Sequence, residues 1–363
     1  MDFDKFLKLY DYSVPKELIA RKPAIPRDSA KLLVFKRKSK DVVFDKFANL
    51  GKYLPPRAVL VLNDTKVLPA RLVVKKETGG LARILYIGKK GGLLEFLSDR
   101  NLNIGSRISI HTNAEVFFIV KEKVDGHYFL KPSFAVNKTF EVLERYGLTP
   151  IPPYIKNSPL SEKELRKEYQ TIFAAKKGSV AAPTASLHFT KKLLAKIKKL
   201  GIEIIYITLH VNLGTFASLT EENIKRSKLH TEYYEISKES MEILNKAKKS
   251  GHPIIAVGTT VVRALESVAN KSFGSINRTK RHSGSEFAKL SSKNLEGGTD
   301  IFIKEGHKFK FVDGLITNLH VPKSSLLILV SAFAGRKNIL NLYQKSIKKK
   351  FRFFSFGDGM LIL

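Results

Sequence analysis

Residues 178–190 read GSVAAPTASLHFT, and two later stretches repeat their main feature. Thr208 to Phe216 reads TLHVNLGTF, and Asp313 to Pro322 reads DGLITNLHVP. Each stretch carries a Thr and a His within a few residues of each other, beside an apolar run typical of a buried strand. The repetition predicts three strand ends that face one common pocket.

The flanking sequence alternates between helical and extended patterns. Ile202 to His210 is almost unbroken in its apolar character, which is typical of a strand covered on both faces of a sheet. Before it, Lys191 to Leu200 has an apolar stripe at helical spacing, with Thr190 placed as its N-cap. After it, we expect a helix and a loop in the passage that contains His230 and Glu232. Residues 1–71 and 149–363 therefore predict an α/β domain.

Residues 72–148 have a different texture. Short β-like runs follow one another at a spacing of about ten residues and are separated by Gly-containing turns, which predicts a small barrel or sandwich. The runs are LVVKK, ARILYIG, LLEFLS, RISIH, EVFFIV and HYFLK. We therefore predict a discontinuous α/β domain, residues 1–71 and 149–363, with an inserted β domain at 72–148.

The composition restricts the class of protein. The chain has 64 Lys and Arg against 33 Asp and Glu, a net charge of +31 that favours a polyanionic partner such as nucleic acid. Alternatively, the excess of lysine reflects the base composition of the genome and carries no function. The absence of Cys excludes disulfides, thiolate metal sites and a Cys nucleophile. The sequence has no long apolar run, and its N-terminus is charged. We therefore expect a cytoplasmic protein without a membrane span or a signal peptide.

Several polar residues occur at the predicted strand ends. They are Thr184, His188, His210, Thr259, Arg263, Asp313, Asn318, His320, Arg352 and Asp358. The strand, Gly turn and helix start around Gly258, Thr259 and Thr260 could form an anion site or a simple helix cap. Asn63 to Lys66, with Arg71, could form a turn or hold a phosphate, and residues 271–297 have the composition of a mobile surface loop.

The common catalytic motifs are absent from the sequence. There is no HExxH, no GxSxG and no glycine fingerprint between a strand and a helix, which argues against a metalloprotease, a serine hydrolase and a dinucleotide-binding fold. The residue patterns by themselves leave the reaction open.

Eight sequence blocks resemble those of the S-adenosylmethionine:tRNA ribosyltransferase-isomerase family of queuosine biosynthesis, from residue 11 through residue 363. The blocks are DYSVPKELIA, LVLNDTKVLPARL, YQTIFAAKKGSVAAPTASLHFT, TLHVNLGTF, HTEYYEI, IIAVGTTVVRALES, FVDGLITNLHVPKSSLLILVSAFAG and FRFFSFGDGMLI. The resemblance implies an α/β domain interrupted by a β-barrel. It also implies transfer of the ribosyl part of S-adenosylmethionine to 7-aminomethyl-7-deazaguanine at the wobble position of tRNA. Adenine and methionine are released and epoxyqueuosine remains in the tRNA.

The resemblance also implies the partners of the reaction. They are the tRNA anticodon arm and S-adenosylmethionine, which is a consumed co-substrate; no metal or other cofactor is expected. The sequence leaves the oligomeric state open, and a monomer is favoured. Two alternative functions are considered. The protein could be a tRNA methyltransferase that uses S-adenosylmethionine, or a tRNA-binding protein without catalytic activity.

Site roles follow from the positions of the matching blocks. We predict that His188 and His320 move protons, since imidazoles titrate near neutral pH, and that Asp313 or Asp358 orients them. The anion site at Gly258, Thr259 and Thr260 would take the methionine carboxylate, with Arg263 nearby. Further substrate contacts are predicted at Thr184, Thr208, His210 and Asn318, and RNA contacts at Lys66, Arg71 and Arg352.

The chain departs from the family pattern at a few positions. Ser186 and Asn212 stand where Gly is usual, Asn157 stands for an Arg, and Arg83 stands for a Glu in the barrel. Ser186 would be strained if that position required a positive φ.

Overall fold

A computed structural model describes residues 2–212, 219–274 and 294–363. The α-helices are α1 Phe3–Lys8, α2 Thr139–Tyr146, α3 Glu162–Glu168, α4 Lys191–Lys199, α5 Glu221–Arg226, α6 Lys238–Lys249, α7 Thr259–Gly274, α8 Ser325–Ala334 and α9 Arg336–Lys348. The strands are β1 Lys31–Phe35, β2 Val42–Lys46, β3 Val59–Asn63, β4 Thr65–Val67, β5 Arg71–Lys76, β6 Leu81–Lys90, β7 Leu93–Ser98, β8 Arg107–Ile110, β9 Asn113–Val124, β10 His127–Pro132, β11 Lys176–Ser179, β12 Glu203–Leu209, β13 Lys228–Ile236, β14 Ile254–Val257, β15 Leu295–Ile301, β16 Gly314–Asn318 and β17 Gly359–Ile362.

A large mixed sheet organises the α/β part of the described chain. Its strand order is β15-β13-β12-β3-β14-β16-β17-β1-β2, and β12, β3, β14 and β16 run parallel to their neighbours in that series. All residues of β3, β14 and β16 are buried, because helices cover both faces of the sheet. The α/β prediction is confirmed, and the carboxyl ends of the four parallel strands meet at one edge.

Strands β5 to β10 close into an antiparallel barrel in the order β10-β7-β6-β5-β8-β9. Alternate residues such as Leu72, Ile84, Phe96 and Phe118 point inward and are fully buried, because side chains alternate across each strand. The barrel is therefore confirmed over the sandwich. Its first strand starts at Arg71, and the division into two domains with boundaries at 72 and 148 stays a prediction.

Two local predictions are wrong. A loop was predicted for residues 271–297, but α7 extends to Gly274 and β15 begins at Leu295; residues 275–293 lie outside the described part of the chain. The passage with His230 and Glu232 is strand β13 and not a helix and loop, since its Thr, Tyr and Ile residues favour a strand.

No helix among the described residues is long and apolar enough to cross a membrane.

Candidate functional site

A cavity of about 310 Å³ lies where the carboxyl ends of β14 and β16 meet the short 3-10 helix Thr184–His188. This is the position at which open α/β sheets commonly bind ligands, and the volume is at the lower end of the range for small-molecule sites. The lining residues are Leu7, Pro153, Tyr154, Ala182, Pro183, Thr184, Ala185, Val211, Leu219, Gly258, Thr259, Thr260, Thr317, Asn318, His320, Val321, Pro322, Lys323, Ser324, Leu326, Phe354 and Ser355. All three Thr/His stretches contribute to it, the second through Val211.

A chain of hydrogen bonds joins the first and third stretches. The Thr184 hydroxyl donates to Asn318 Oδ1 at 2.9 Å, and Asn318 Nδ2 donates to His188 Nε2 at 3.4 Å. Asn318 and His188 are buried, and the His188 ring packs on Phe47 with 4.7 Å between ring centroids. The hydrogen bond to His188 therefore holds the Asn318 side chain in position.

His188 is absent from the lining of the cavity, contrary to the prediction that it moves a proton there. The reason is the local backbone. In a 3-10 helix, with 3.0 residues per turn, a residue four positions after Thr184 points about 120° away from it. Burial, aided by the charges of Arg352 and Arg27, also lowers the pKa of His188 to about 3, so its ring is neutral.

His320 does line the cavity. Its Nε2 is 2.7 Å from the Thr317 hydroxyl, and its main chain is held by two tyrosines: its N–H donates to Tyr343 Oη at 2.9 Å and its carbonyl accepts from Tyr12. Burial lowers the pKa of His320 to about 3. The cavity therefore contains a neutral imidazole in a fixed position.

The N-terminus of α7 opens into the same cavity. Gly258 has φ +92°, a conformation that favours Gly, and the helix starts directly after it at Thr259. Thr260 is 6% exposed, and its hydroxyl has no hydrogen-bond partner in the described structure. An unpaired buried hydroxyl beside the free N–H groups of a long helix is well suited to an anionic ligand.

The predicted carboxylate partners of the histidines are wrong. Asp313 lies before β16, about 16 Å of strand from Asn318 at 3.3 Å per residue, and its carboxylate binds Lys248 Nζ at 3.0 Å and the Ile254 N–H at 2.9 Å. Asp358 accepts hydrogen bonds from Arg352 Nη2 at 3.0 Å and from the Lys31 N–H at 3.2 Å. Neither carboxylate is hydrogen-bonded to a histidine.

Arg263 is likewise not available to a ligand. It lies one helical turn beyond Thr259, and its guanidinium forms a buried ion pair with Glu232 of β13. The other Glu232 oxygen accepts from the Asn212 N–H at 3.1 Å. Arg263 therefore fixes the chain after β12 and does not line the cavity.

Thr208, His210 and Lys66 lie outside the cavity. The Thr208 hydroxyl donates to Asp64 Oδ1 at 2.6 Å, and His210 Nδ1 is 2.8 Å from the Thr65 hydroxyl. Lys66 is half-buried on β4. Thr208 and His210 were predicted to contact substrate and Lys66 to contact RNA, and these contacts stay predictions.

Tyr154 and Ser355 are among the lining residues that were not predicted as site residues from the sequence. Tyr154 Oη is 2.6 Å from the Ser355 hydroxyl, and burial raises the pKa of Tyr154 to about 12. Tyr154 ends the motif PPY, where Pro residues fix the backbone, and that motif was the available signal.

Two of the departures from the family pattern are compatible with the backbone at their positions. Ser186 does not have a positive φ, so the backbone strain that was considered for this position does not arise. Asn157 has φ +52°, a left-handed conformation that Asn tolerates better than most residues.

Two buried neutral histidines make stability depend on pH. His188 and His320 have folded pKa values of about 3, below the ordinary value of 6.5, so the unfolded chain binds more protons between those limits. Stability should then fall as the pH drops below 6.5, by about 2 kcal/mol for each histidine between pH 7 and pH 5.

Urea unfolding at the two pH values measures this loss. His188→Gln should remove about half of the difference attributed to the two rings. A variant with the same pH dependence as the original chain would contradict a neutral, buried His188.

In the described part of the chain, no group of three or more His, Asp or Glu residues could hold a metal ion.

The fold and the cavity define an α/β protein with a small-molecule site at the carboxyl edge of its sheet and a β-barrel beside it. The family model described as queuosine biosynthesis protein matches residues 7–362. The S-adenosylmethionine:tRNA ribosyltransferase-isomerase of Carboxydothermus hydrogenoformans is 45% identical over 98% of this chain and 99% of its own length. That of Aquifex aeolicus is 42% identical over 98% of both chains.

A solved structure agrees with these matches. The crystal structure of S-adenosylmethionine tRNA ribosyltransferase from Thermotoga maritima aligns with 98% of this chain and 100% of its own, with 31% identity and a TM-score of 0.53. The chain belongs to the S-adenosylmethionine:tRNA ribosyltransferase-isomerase family of queuosine biosynthesis, and it is an enzyme.

Proposed function

We propose that the protein transfers and isomerises the ribosyl part of S-adenosylmethionine onto 7-aminomethyl-7-deazaguanine at the wobble position of tRNA. Adenine and methionine leave, and epoxyqueuosine remains. The observation that carries this proposal is the cavity in which the N-terminus of α7, an unpaired buried hydroxyl and a neutral imidazole face apolar walls. Membership of the family supports the same reaction.

S-adenosylmethionine has a carboxylate at one end and an aromatic base at the other. We place the carboxylate at the N–H groups of Thr259 and Thr260, where the helix dipole favours a negative charge. Apolar residues such as Pro183, Leu326 and Phe354 line the cavity and would contact the uncharged adenine.

His320 is our candidate for proton transfer. Its imidazole is neutral, so an unprotonated ring nitrogen can accept a proton from the aminomethyl nitrogen or from the carbon next to sulfur, and burial makes that nitrogen a weaker base than an exposed imidazole. The same neutrality makes it a poor donor to departing adenine, so adenine would receive its proton from another group. Thr184 and Asn318 would hold the substrate in position, with His188 supporting Asn318.

The tRNA partner fits the charge of +31, since neutralising phosphates releases counterions. A tRNA substrate would place the enzyme in the cytoplasm, and we propose that it acts as a monomer. We propose contacts of Lys66, Arg71 and Arg352 with RNA, although the charge of Arg352 is already paired with Asp358. We also propose that no metal or other cofactor takes part, so chelation with EDTA should leave the rate unchanged.

Product analysis tests the function directly. Enzyme, labelled S-adenosylmethionine and precursor-bearing tRNA should yield adenine and methionine. S-adenosylhomocysteine would indicate a methyltransferase, and no product at all would indicate a non-catalytic tRNA-binding protein; either result would overturn the proposal.

Thr260→Val should weaken S-adenosylmethionine binding by about tenfold or more, because a hydrogen bond to a charged group contributes about 1.5–3 kcal/mol. Val has the same shape but cannot donate to the carboxylate. Isothermal titration calorimetry measures the Kd. Thr171→Val is the matched control, since Thr171 is also buried with an unpaired hydroxyl but lies outside the cavity. If both variants bind S-adenosylmethionine with equal affinity, the Thr260 hydroxyl does not bind the carboxylate, and Thr260 is only part of the helix start.

A further inference from the structure

A groove of about 560 Å³ lies next to the cavity, between the barrel and the segment that follows α2. Its barrel side is the outer face of β5, β6 and β7. Arg71 and Arg83 point outward there because their neighbours Leu72 and Ile84 point into the barrel. The two arginines lie on adjacent strands, and Arg71 is opposite Leu85, two residues from Arg83, which makes them diagonal neighbours.

The groove adjoins the cavity. Pro153 lines both, and the next two residues divide between them: Tyr154 lines the cavity and Ile155 lines the groove. Val180 lines the groove and Ala182, two residues later, lines the cavity. A polymer that places one unit in the cavity would therefore have a neighbouring unit close to the groove.

The groove carries an excess of positive charge. No described residue forms an ion pair with Arg71 or Arg83, and the Arg71 guanidinium is fixed by a 3.0 Å hydrogen bond to the Ile151 carbonyl. Asp99 lies at the same edge, where its carboxylate accepts from the backbone N–H of Arg83 at 2.8 Å. Two cations and one anion leave a net charge that an incoming anion would neutralise.

The remaining walls are apolar. Leu85, Leu97, Ile151 and Pro152 form surfaces against which a flat ring can pack. Single-stranded nucleic acids are bound by this combination, with cations on the phosphates and apolar or aromatic contacts on the bases.

We propose that this groove binds the nucleotide adjacent to the reacting nucleotide of the tRNA anticodon loop. The phosphate lies between Arg71 and Arg83, and the base packs against Leu85, Leu97 and Pro152. This inference rests on the proposed function and adds to it the place where the RNA strand leaves the cavity.

Arg83→Gln tests the inference in the full-length enzyme. We expect the Kd for tRNA to rise about fivefold at low salt and the slope of log K against log salt to become less steep by about 0.7, the loss of one phosphate contact. Filter binding from 50 to 200 mM salt measures both quantities. The KM for S-adenosylmethionine should not change.

Lys89→Gln is the matched control, because Lys89 lies on the same strand, is exposed and loses the same charge outside the groove. Its Kd for tRNA should change less than twofold, with an unchanged salt slope. If Arg83→Gln behaves like Lys89→Gln, the groove does not bind RNA.

The inference and the proposed function fail in different ways. If Arg83→Gln and Lys89→Gln bind tRNA equally well and the original enzyme still releases adenine, the groove proposal is wrong and the proposed reaction stands. An enzyme that binds tRNA through Arg83 but releases no adenine overturns the reaction and leaves the groove as an RNA site.

Discussion

His320→Ala is expected to lower kcat for adenine release by about 100- to 10,000-fold, the usual contribution of a positioned acid or base. Among the described residues, His320 is the histidine that lines the cavity. Two tyrosines and Thr317 fix its position. Burial keeps the ring neutral, so a ring nitrogen is unprotonated and can accept a proton, and burial also makes that nitrogen a weaker base than an exposed imidazole. Single-turnover release of labelled adenine measures the chemical step.

Two further variants separate proton transfer from positioning. His320→Gln can form hydrogen bonds but cannot carry the proton, so it should be nearly as slow as the Ala variant. Thr317→Val removes the 2.7 Å contact to Nε2 and keeps the imidazole, so it should be much milder. Near-normal turnover of His320→Gln would show that His320 only positions the substrate.

Arg263→Met should lower the free energy of unfolding by about 3–5 kcal/mol, because it removes the cation from the buried ion pair that Arg263 forms with Glu232. Glu232 is fully buried and Arg263 is 3% exposed, so water cannot replace the lost partner. Urea unfolding followed by circular dichroism measures the loss. Through Asn212, the same change should disturb the chain that follows β12 beside the cavity.

Arg226→Met is the matched control for this prediction. Arg226 pairs with Glu222 on the exposed surface of α5, and such pairs contribute about 1 kcal/mol or less. The double variant Arg263→Met with Glu232→Leu should recover much of the lost stability, since it removes both buried charges. Equal destabilisation by Arg263→Met and Arg226→Met would rule out the proposed role of the buried pair.

Local patterns were sufficient to predict the main architecture. The alternating runs of the barrel and the continuous apolar strands of the sheet are set by neighbouring residues, so they can be read along the chain. Strand β13 was missed because its alternation is interrupted at Tyr233 and Tyr234. The end of α7 was missed because its last residues have a loop-like composition.

The site was predictable in outline only. Its three stretches were found because each carries a Thr and a His beside an apolar run, although the first forms a 3-10 helix and does not end a buried strand. The predicted positions of Asp313, Asp358 and Arg263 beside the site were wrong, because each is held by another partner. Asp313 and Asn318 are five residues apart, but an extended strand separates them by its whole length. Arg263 follows Thr259 by one helical turn and meets Glu232, a residue from a distant part of the sequence.

The α/β sheet, the barrel, the family and the stretches that form the cavity were all predictable from the order of the residues. These features depend on periodicity, composition and motif order, which can be read along the chain. The positions of two histidines depend on the folded backbone: His320 lines the cavity, whereas His188 is hydrogen-bonded to Asn318 and does not line it. Two similar Thr/His stretches differ in this way because one forms a 3-10 turn and the other follows a strand, and the backbone direction sets where each imidazole points.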